Sequence, residues 1–330
     1  MQKVAELFTS VTDAGREAVL SFRRGSNVTD SVMYLPGLDC GDVAPAVVPI
    51  DALPPLLDDA FRVVCVSDTH DGHRQFRLPA ADLLLFGGDI QMTSRNFSAS
   101  ACEKKVRDFN AWLGENTQVS QKIVIGGNHD AYLESLGRRA SKELLSHASY
   151  LVFEELAVVH PRHPDRIRPL WVYGAPFSLG RSGNAAYQLR KNAEADWGST
   201  RRIPPTRIPA VVRGLLERER REREPGFRLP RVPLYDIALT HHPRMSHFEI
   251  GTDASKSVKM VSGHVHVGGH IHAMYGVAMW NHVPCVVACS LTNKYEANNP
   301  PIVFDYRPSD RKCVAMEPRV SAAVELPVEE

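Results

Sequence analysis

No stretch of this 330-residue chain approaches the roughly 20 consecutive apolar residues that a membrane span requires, so a membrane-embedded protein is not expected. The six cysteines, Cys40, Cys65, Cys102, Cys285, Cys289 and Cys313, form no Cys-x-x-Cys pair. That excludes a zinc ribbon, gives no disulfide framework, and leaves the thiols reduced. Charge of one sign is missing as well. With a formal net charge of +1 there is no global pull towards nucleic acid or an anionic membrane, and electrostatic recognition has to come from local patches. The N-terminal stretch has no uninterrupted apolar segment, and Glu6, Asp13 and Glu17 argue against a transit peptide. No internal repeat is visible. These absences lead to the expectation of a soluble, cytoplasmic protein whose function must be read from its sites.

At 43% hydrophobic and 23% charged residues, the chain can bury a substantial core. Residues 1–60 read as a leader whose early part could form an amphipathic helix and whose later part is rich in Pro and turn residues; an extended wrap or a partly ordered arm is expected. From residue 61 the texture changes to short apolar runs that stop at Gly or a polar residue: "FRVVCVSDTH", "ADLLLFGGD" and "QKIVIGGNHD". Each reads as a buried strand delivering a loop. Between the second and third, "SASACEKKVRDFNAWLGE" carries a helical signal, with Ser98 or Ser100 as cap and Val106, Phe109, Trp112 and Leu113 on one face. Later runs, "SYLVF", "LAVVH", "PLWVYGAP", "YDIALTHH", "PCVVACS" and "PIVFDY", extend the alternation, so the class is α/β with many short strands.

Residues 178–233 break this rhythm, with 13 basic against 6 acidic side chains from Arg181 to Arg231. Two readings stand. The segment could grip a nucleic-acid backbone. Alternatively it is a solvated helix, because Glu217 with Arg221 and Glu219 with Arg223 fall at i, i+4 with the acid first.

Three successive strand ends carry Asp68-Thr69-His70, Gly87-Gly88-Asp89 and Gly127-Asn128-His129-Asp130. Each is weak alone. Parallel strands that end on one side bring such loops into a single crevice at their C-terminal edge. Two carboxylates, a carboxamide and several imidazoles, with no thiolate, suit Mn²⁺, Fe²⁺/³⁺, Zn²⁺ or Co²⁺ in an open site. "YDIALTHHPRMSH" adds His241 and His242 at the end of another strand. The glycines at 87, 88, 126, 127, 268 and 269 allow backbone to bend close to an ion. The last supply is "MVSGHVHVGGHIHAMYG", which holds two copies of Gly-His-x-His. From the residues alone either copy could be the loop: His264 and His266, with "VKMV" as the strand, or His270 and His272, with the double glycine Gly268-Gly269 as the sharper exit.

Asp-x-His, Gly-Asp, Gly-Asn-His-Asp, a strand-end His and Gly-His-x-His, in that order, resemble the calcineurin-like metallophosphoesterase superfamily. "VVCVSDTH", "FNAWLGE", "KIVIGGNHD", "VYGAPF", "GHIHAMYGV" and "NNPPIVFDY" resemble its metallophosphoesterase-domain-containing branch over about residues 61–306. The resemblance implies two mixed β-sheets packed as a sandwich and flanked by helices, in a domain over 61–310 with a basic insert at 178–233 and a tail at 311–330. It also favours His270 and His272 as the ligand pair, with His264 and His266 on the strand leading in.

The resemblance further implies two divalent ions, one held by Asp68, His70 and His272, the other by Asn128, His241 and His270, with Asp89 bridging. A metal-bridging hydroxide would attack a small phosphoester, a phosphodiester such as a cyclic nucleotide being favoured, and His129 would protonate the leaving group. Asp130 would orient His129 or serve as a turn carboxylate. His242 would sit behind the ligands, and His73 at the substrate rim or exposed on its loop. His147, His160, His163, His247 and His282 carry no motif and are expected at the surface or in packing. Neither a membrane nor nucleic acid is expected as partner. Two other readings remain, a scaffold that binds phosphate or a protein without chemistry, and a nuclease using the arginine-rich segment.

Overall fold

The computed structural model of the protein describes residues 19–20, 30–37, 45–92, 97–179, 184, 186–189, 235–243, 263–280 and 283–314. In chain order the elements are β1 (Val19–Leu20), β2 (Ser31–Tyr34), β3 (Ala46–Pro49), β4 (Phe61–Val66), β5 (Ala81–Phe86), α1 (Ala99–Glu115), β6 (Val119–Val124), α2 (Ala131–Leu144), β7 (Ser149–Tyr150), β8 (Glu154–Val158), β9 (Leu170–Ala175), β10 (Ser178–Leu179), β11 (Gln188–Leu189), β12 (Tyr235–Thr240), β13 (Gly263–Gly268), β14 (Gly276–Trp280), β15 (Val283–Val287), β16 (Ile302–Arg307) and β17 (Lys312–Cys313).

Apart from β10 and β11, which pair with each other alone, the strands assemble into two mixed sheets, as the resemblance implied. One runs β1-β14-β15-β13-β12-β9-β8 and the other β3-β2-β16-β4-β5-β6-β7, with β17 added beside β16. Within the first, β9, β12, β13 and β15 are parallel; within the second, β4 to β7 are parallel. Strands β4 and β5 bury apolar side chains on both faces, and the two faces go to different cores. On β4, Val63 and Cys65 join Leu83, Leu85, Val172, Ile237, Val265 and Val286 between the sheets. Val64 and Val66 point the other way, to Phe86, Val106, Phe109, Trp112 and Leu113 beneath α1. That two-sided burial explains why the strands read as unbroken apolar runs.

Helix α1 starts where the sequence placed it. Ser98 is the N-cap, its hydroxyl accepting from the Ala101 amide at 3.2 Å. Helix α2 was not expected, and its sequence explains why: only Leu133 and Ser141 are buried, and Gly137 interrupts it at φ 76°. The later leader is built into the second sheet, where β2 pairs parallel with β16, and β3 antiparallel with β2. The reason is local. Val32, Met33, Tyr34 and Leu35 supply a buried apolar run, and the Tyr34 hydroxyl donates to Asp305 at 2.9 Å. The amphipathic helix expected in the early leader, the helix expected over 211–224, and the tail beyond residue 314 lie outside the described residues.

Asp305 is the polar anchor of this sheet. It is fully buried and accepts from Arg62 Nε and Nη2, both at 2.9 Å, as well as from Tyr34, so it ties β16 to β4 and β2. Replacing it with alanine strands a buried guanidinium, and Asp305→Ala is expected to cost about 3–5 kcal/mol, read as a lower urea midpoint at unchanged slope.

Asp236 plays a similar part in the first sheet, accepting from Arg168, the Trp171 amide and Tyr306. Burial would raise its pKa, but these donors hold it below the usual range. A folded value below the unfolded value of about 3.9 means the stabilisation is complete above about pH 4 and lost as pH falls through the folded value. Asp236→Asn is therefore expected to flatten the acid limb of a stability-versus-pH curve below about pH 4 while lowering stability at pH 7.

Candidate metal centre

The two sheets meet at the C-terminal ends of their parallel strands. Ser67, just past β4, forms an isolated parallel bridge with Cys289, past β15, and the Ser290 amide donates to the Ser67 carbonyl at 2.8 Å. At this junction Asp68, His70, Asp89, Asn128 and His241, all buried, converge with the half-buried His270 and His272. Three sets of side chains have donor atoms within 4.8 Å of one another: Asp68, His70 and His272; Asp89, His241 and His270; and His70, Asp89 and His129. Asp89 Oδ2 lies between the sets, 3.8 Å from His70 Nε2 and 3.4 Å from His241 Nε2.

The imidazoles are oriented by the backbone. Nδ1 of His70 lies 3.1 Å from the Gln91 carbonyl, that of His241 2.8 Å from the Gly87 carbonyl, and that of His272 3.0 Å from the Thr292 carbonyl. A carbonyl only accepts, so each Nδ1 carries a proton and each Nε2 is the nitrogen turned to the centre, where it offers a lone pair once any second proton has left. His129 does the same through the Met92 carbonyl. Asn128 is fixed by the same logic: its Nδ2 donates to the Asn184 carbonyl at 3.2 Å, which turns Oδ1 towards His241 Nε2 at 3.0 Å and His270 Nδ1 at 2.8 Å.

His70 Nε2 and His272 Nε2 stand 3.3 Å apart, close enough to share a proton or a cation. Four imidazoles, two carboxylates and a carboxamide oxygen make a donor set that fits a divalent transition metal. Burial alone would raise the carboxylates. Opposing it, the His272 hydrogen bond and the His241 charge hold Asp68 far below its ordinary value, and His241 with His70 holds Asp89 at about 2. In return Asp89 and Asp68 overcome the burial of His241 and lift it to about 9, whereas burial prevails at His70 and lowers it. A metal must displace the proton of His241, so uptake strengthens as pH rises.

The loops reach these positions at a conformational cost. Asp68, His70, Asp89 and His270 all have left-handed backbone, with φ of 54°, 45°, 54° and 68°. Non-glycine residues rarely adopt it, and such strain concentrates at functional sites. Two glycines are required by space. A Cβ at Gly269 would overlap Ser67 Oγ and Asp68 Oδ2, and one at Gly127 would overlap Asp89 Oδ1. Gly269 thereby lets the His270 amide donate to both Asp68 oxygens, at 3.0 and 2.9 Å.

Of the two Gly-His-x-His copies, only the second contributes to the centre. His264 and His266 lie on β13 as the resemblance implied, with His264 beside Arg311 at 3.3 Å and His266 bonded to Thr240 Oγ1 at 2.6 Å. His242 is buried behind the site, its ring centroid 5.2 Å from that of His270, and burial together with the His270 and His241 charges lowers it to about 3.

His73 is neither exposed nor at the rim. It is buried against Phe109 and Trp112 and bonded to Asp108 at 3.0 Å, because a helical turn at His73–Gln75 faces it into α1. Asp130 does not orient His129: its carboxylate accepts from the amides of Gly127, Ile90 and Gln91 at 2.8, 3.2 and 3.1 Å and so clips the β5 and β6 loops together. Burial, with the Asp89 charge, raises it to about 7 against those three donors. Among the histidines without a motif, His160 is buried against Phe61 and His163 pairs with Asp58, while His247 and His282 lie outside the described residues. Sequence reading missed Asn184 and Tyr295, the latter beside the rings of His70 and His272. Neither carries a motif of its own.

The two mixed sheets and the cluster of carboxylates and imidazoles accord with the family resemblance. Residues 61–274 match the family described as calcineurin-like phosphoesterase, and the chain belongs to that family. It is 27% identical to human metallophosphoesterase domain-containing protein 1, over 74% of this chain and 70% of that protein. It is 25% identical to a UPF0046 protein of Caenorhabditis elegans, over 76% of this chain and 61% of that protein, so it spans less than two thirds of the worm relative. A solved structure from Thermus thermophilus is similar over 78% of this chain and 99% of its own, at 12% identity and a TM-score of 0.38. Among the described residues no helix is long and apolar enough to cross a membrane.

The two histidine pairs can be separated by bound metal. After loading with Mn²⁺ and desalting, His270→Ala/His272→Ala is expected to lose most of its metal by elemental analysis, whereas His264→Ala/His266→Ala retains it. The reverse pattern would move the ligand loop six residues upstream.

Proposed function

We propose that the protein is a phosphodiesterase that works with two divalent cations. Asp68, His70 and His272 hold one, Asn128, His241 and His270 the other, and Asp89 is shared. The carrying observation is the position of Asp89 Oδ2, within 4 Å of an imidazole from each set. When bound, the two cations acidify a shared water and offset the charge of the phosphate in ground and transition states. The preference for diesters, cyclic nucleotides included, rests on the likeness of the motif wording to the metallophosphoesterase-domain-containing branch. Manganese is one suitable ion for this oxygen and nitrogen set, and a cytoplasmic location accords with the reduced thiols.

His129 is the general acid in this reading. Its Nδ1–H is held by the Met92 carbonyl, which leaves Nε2 at the edge of the cluster, 3.9 Å from Asp89 Oδ2 and 3.2 Å from Asn184 Nδ2. Its amide donates to Asp89 Oδ1 at 2.8 Å, so the ring's root is tied to the shared carboxylate. A proton taken up at Nε2, in addition to the one on Nδ1, would be held where it can pass to a departing alkoxide, leaving the neutral imidazole. Asp130 acts as a positioning residue, holding the loop from which Asn128 and His129 project. Asp68, through its bonds with the His270 amide, keeps the last loop against the first.

The test is metal content together with turnover of bis(4-nitrophenyl) phosphate. About two ions per chain and Mn²⁺-dependent hydrolysis are expected. Two bound ions with no hydrolysis of any phosphoester would leave a binding scaffold instead. His129→Ala is expected to keep its ions and lose about 10²–10⁴-fold in kcat, with a larger deficit for an alkyl than for a nitrophenyl leaving group, since the alkoxide needs its proton more. Equal deficits would remove His129 from proton transfer.

A further inference from the structure

We propose that Tyr295 forms a stacking subsite for a planar ring on the ester group of the substrate, which makes aromatic phosphoesters the preferred class. This rests on the phosphate binding at the metal centre. Tyr295 stands at the mouth of the centre, its ring centroid 5.1 Å from that of His70 and 5.2 Å from that of His272. Both imidazoles are themselves almost wholly buried in their side chains, while Tyr295 is 47% exposed, one of five large hydrophobic residues among those described that face solvent. The ring is tilted by 62° and 69° to the two imidazoles, so neither is stacked parallel on it and a face remains for another planar group.

The residue is held there rather than left on a loose loop. Tyr295 has left-handed backbone, φ 59°, which a bulky aromatic seldom adopts. The turn is closed by the Tyr295 amide donating to the Thr292 carbonyl at 2.8 Å and the Thr292 amide donating to the Glu296 carbonyl at 2.9 Å, while Thr292 Oγ1 accepts from the Lys294 amide at 3.2 Å. The same Thr292 carbonyl orients His272 Nδ1, so ring and ligand are fixed by one turn. An exposed aromatic kept in a costly conformation beside a charged centre contributes little to the core. Its chemistry suits a substrate whose anionic end enters the centre and whose flat apolar end stays at the mouth.

Binding of inert ligands tests this without turnover. On the full chain loaded with Mn²⁺, phenylphosphonate is expected to bind roughly ten- to a hundredfold more tightly than methylphosphonate by calorimetry, the range of one aromatic stack. Tyr295→Ala should erase that gap with metal content and methylphosphonate affinity unchanged, and Tyr295→Phe should keep it. AMP against ribose 5-phosphate is the second arm: a gap that Tyr295→Ala removes there too identifies a nucleobase, and a gap confined to phenylphosphonate identifies an aryl ring close to phosphorus. If wild type binds both phosphonates equally, or Tyr295→Ala keeps the gap, the subsite is overturned while the phosphate site stands. If wild type binds neither, the reading of the metal centre fails and the subsite fails with it.

Discussion

The centre depends on one repeated interaction, an imidazole Nδ1–H given to a backbone carbonyl. Gln91, Gly87, Thr292 and Met92 offer those carbonyls to His70, His241, His272 and His129. Each hydrogen bond is modest in net energy. Its effect is geometric, because it chooses the tautomer and aims the other nitrogen, so lone pairs and carboxylates gather where like groups would otherwise repel. Such a cluster draws positive charge, as the rise of His241 to about 9 beside Asp89 and Asp68 shows.

The frame that holds the cluster together is the meeting of two sheets. Parallel strands deliver their loops at one edge, and the Ser67–Cys289 bridge joins the edges of the two sheets. Further connections cross the site: the Gly269 amide to the His241 carbonyl at 2.9 Å, the Asp68 amide to the Gly88 carbonyl at 2.9 Å, and the Asp130 clip to the β5 loop. The left-handed residues Asp68, Asp89 and His270 are held in place by this web. Away from the site, Asp305 and Asp236 anchor the sheets with buried charge, which keeps the platform beneath the loops rigid.

Much of this was legible in the residues. The apolar runs marked most central strands, Ser98 marked the start of α1, and five short motifs in order pointed to an oxygen and nitrogen metal site. Less visible were features with no local signature. Helix α2 is weakly patterned around Gly137, and β2 gains its place only through β16, some 270 positions away in sequence. His73 resembled a site residue because it follows Asp68-Thr69-His70 in the same polar loop, yet packing against Phe109 and Trp112 outweighed exposure.

The sequence by itself determined the candidate ligand types, their order, and the strand ends that carry them, because hydrophobic periodicity and glycine placement are local properties. It left open which Gly-His-x-His copy enters the centre, since both copies offer the same atoms. Tertiary structure decided that: pairing with β12 and β15 makes Gly263–Gly268 a strand, and only the backbone beyond it turns towards Asp68. It alone also brought Asn184 and Tyr295 to the site, because contacts between distant loops depend on how whole sheets meet.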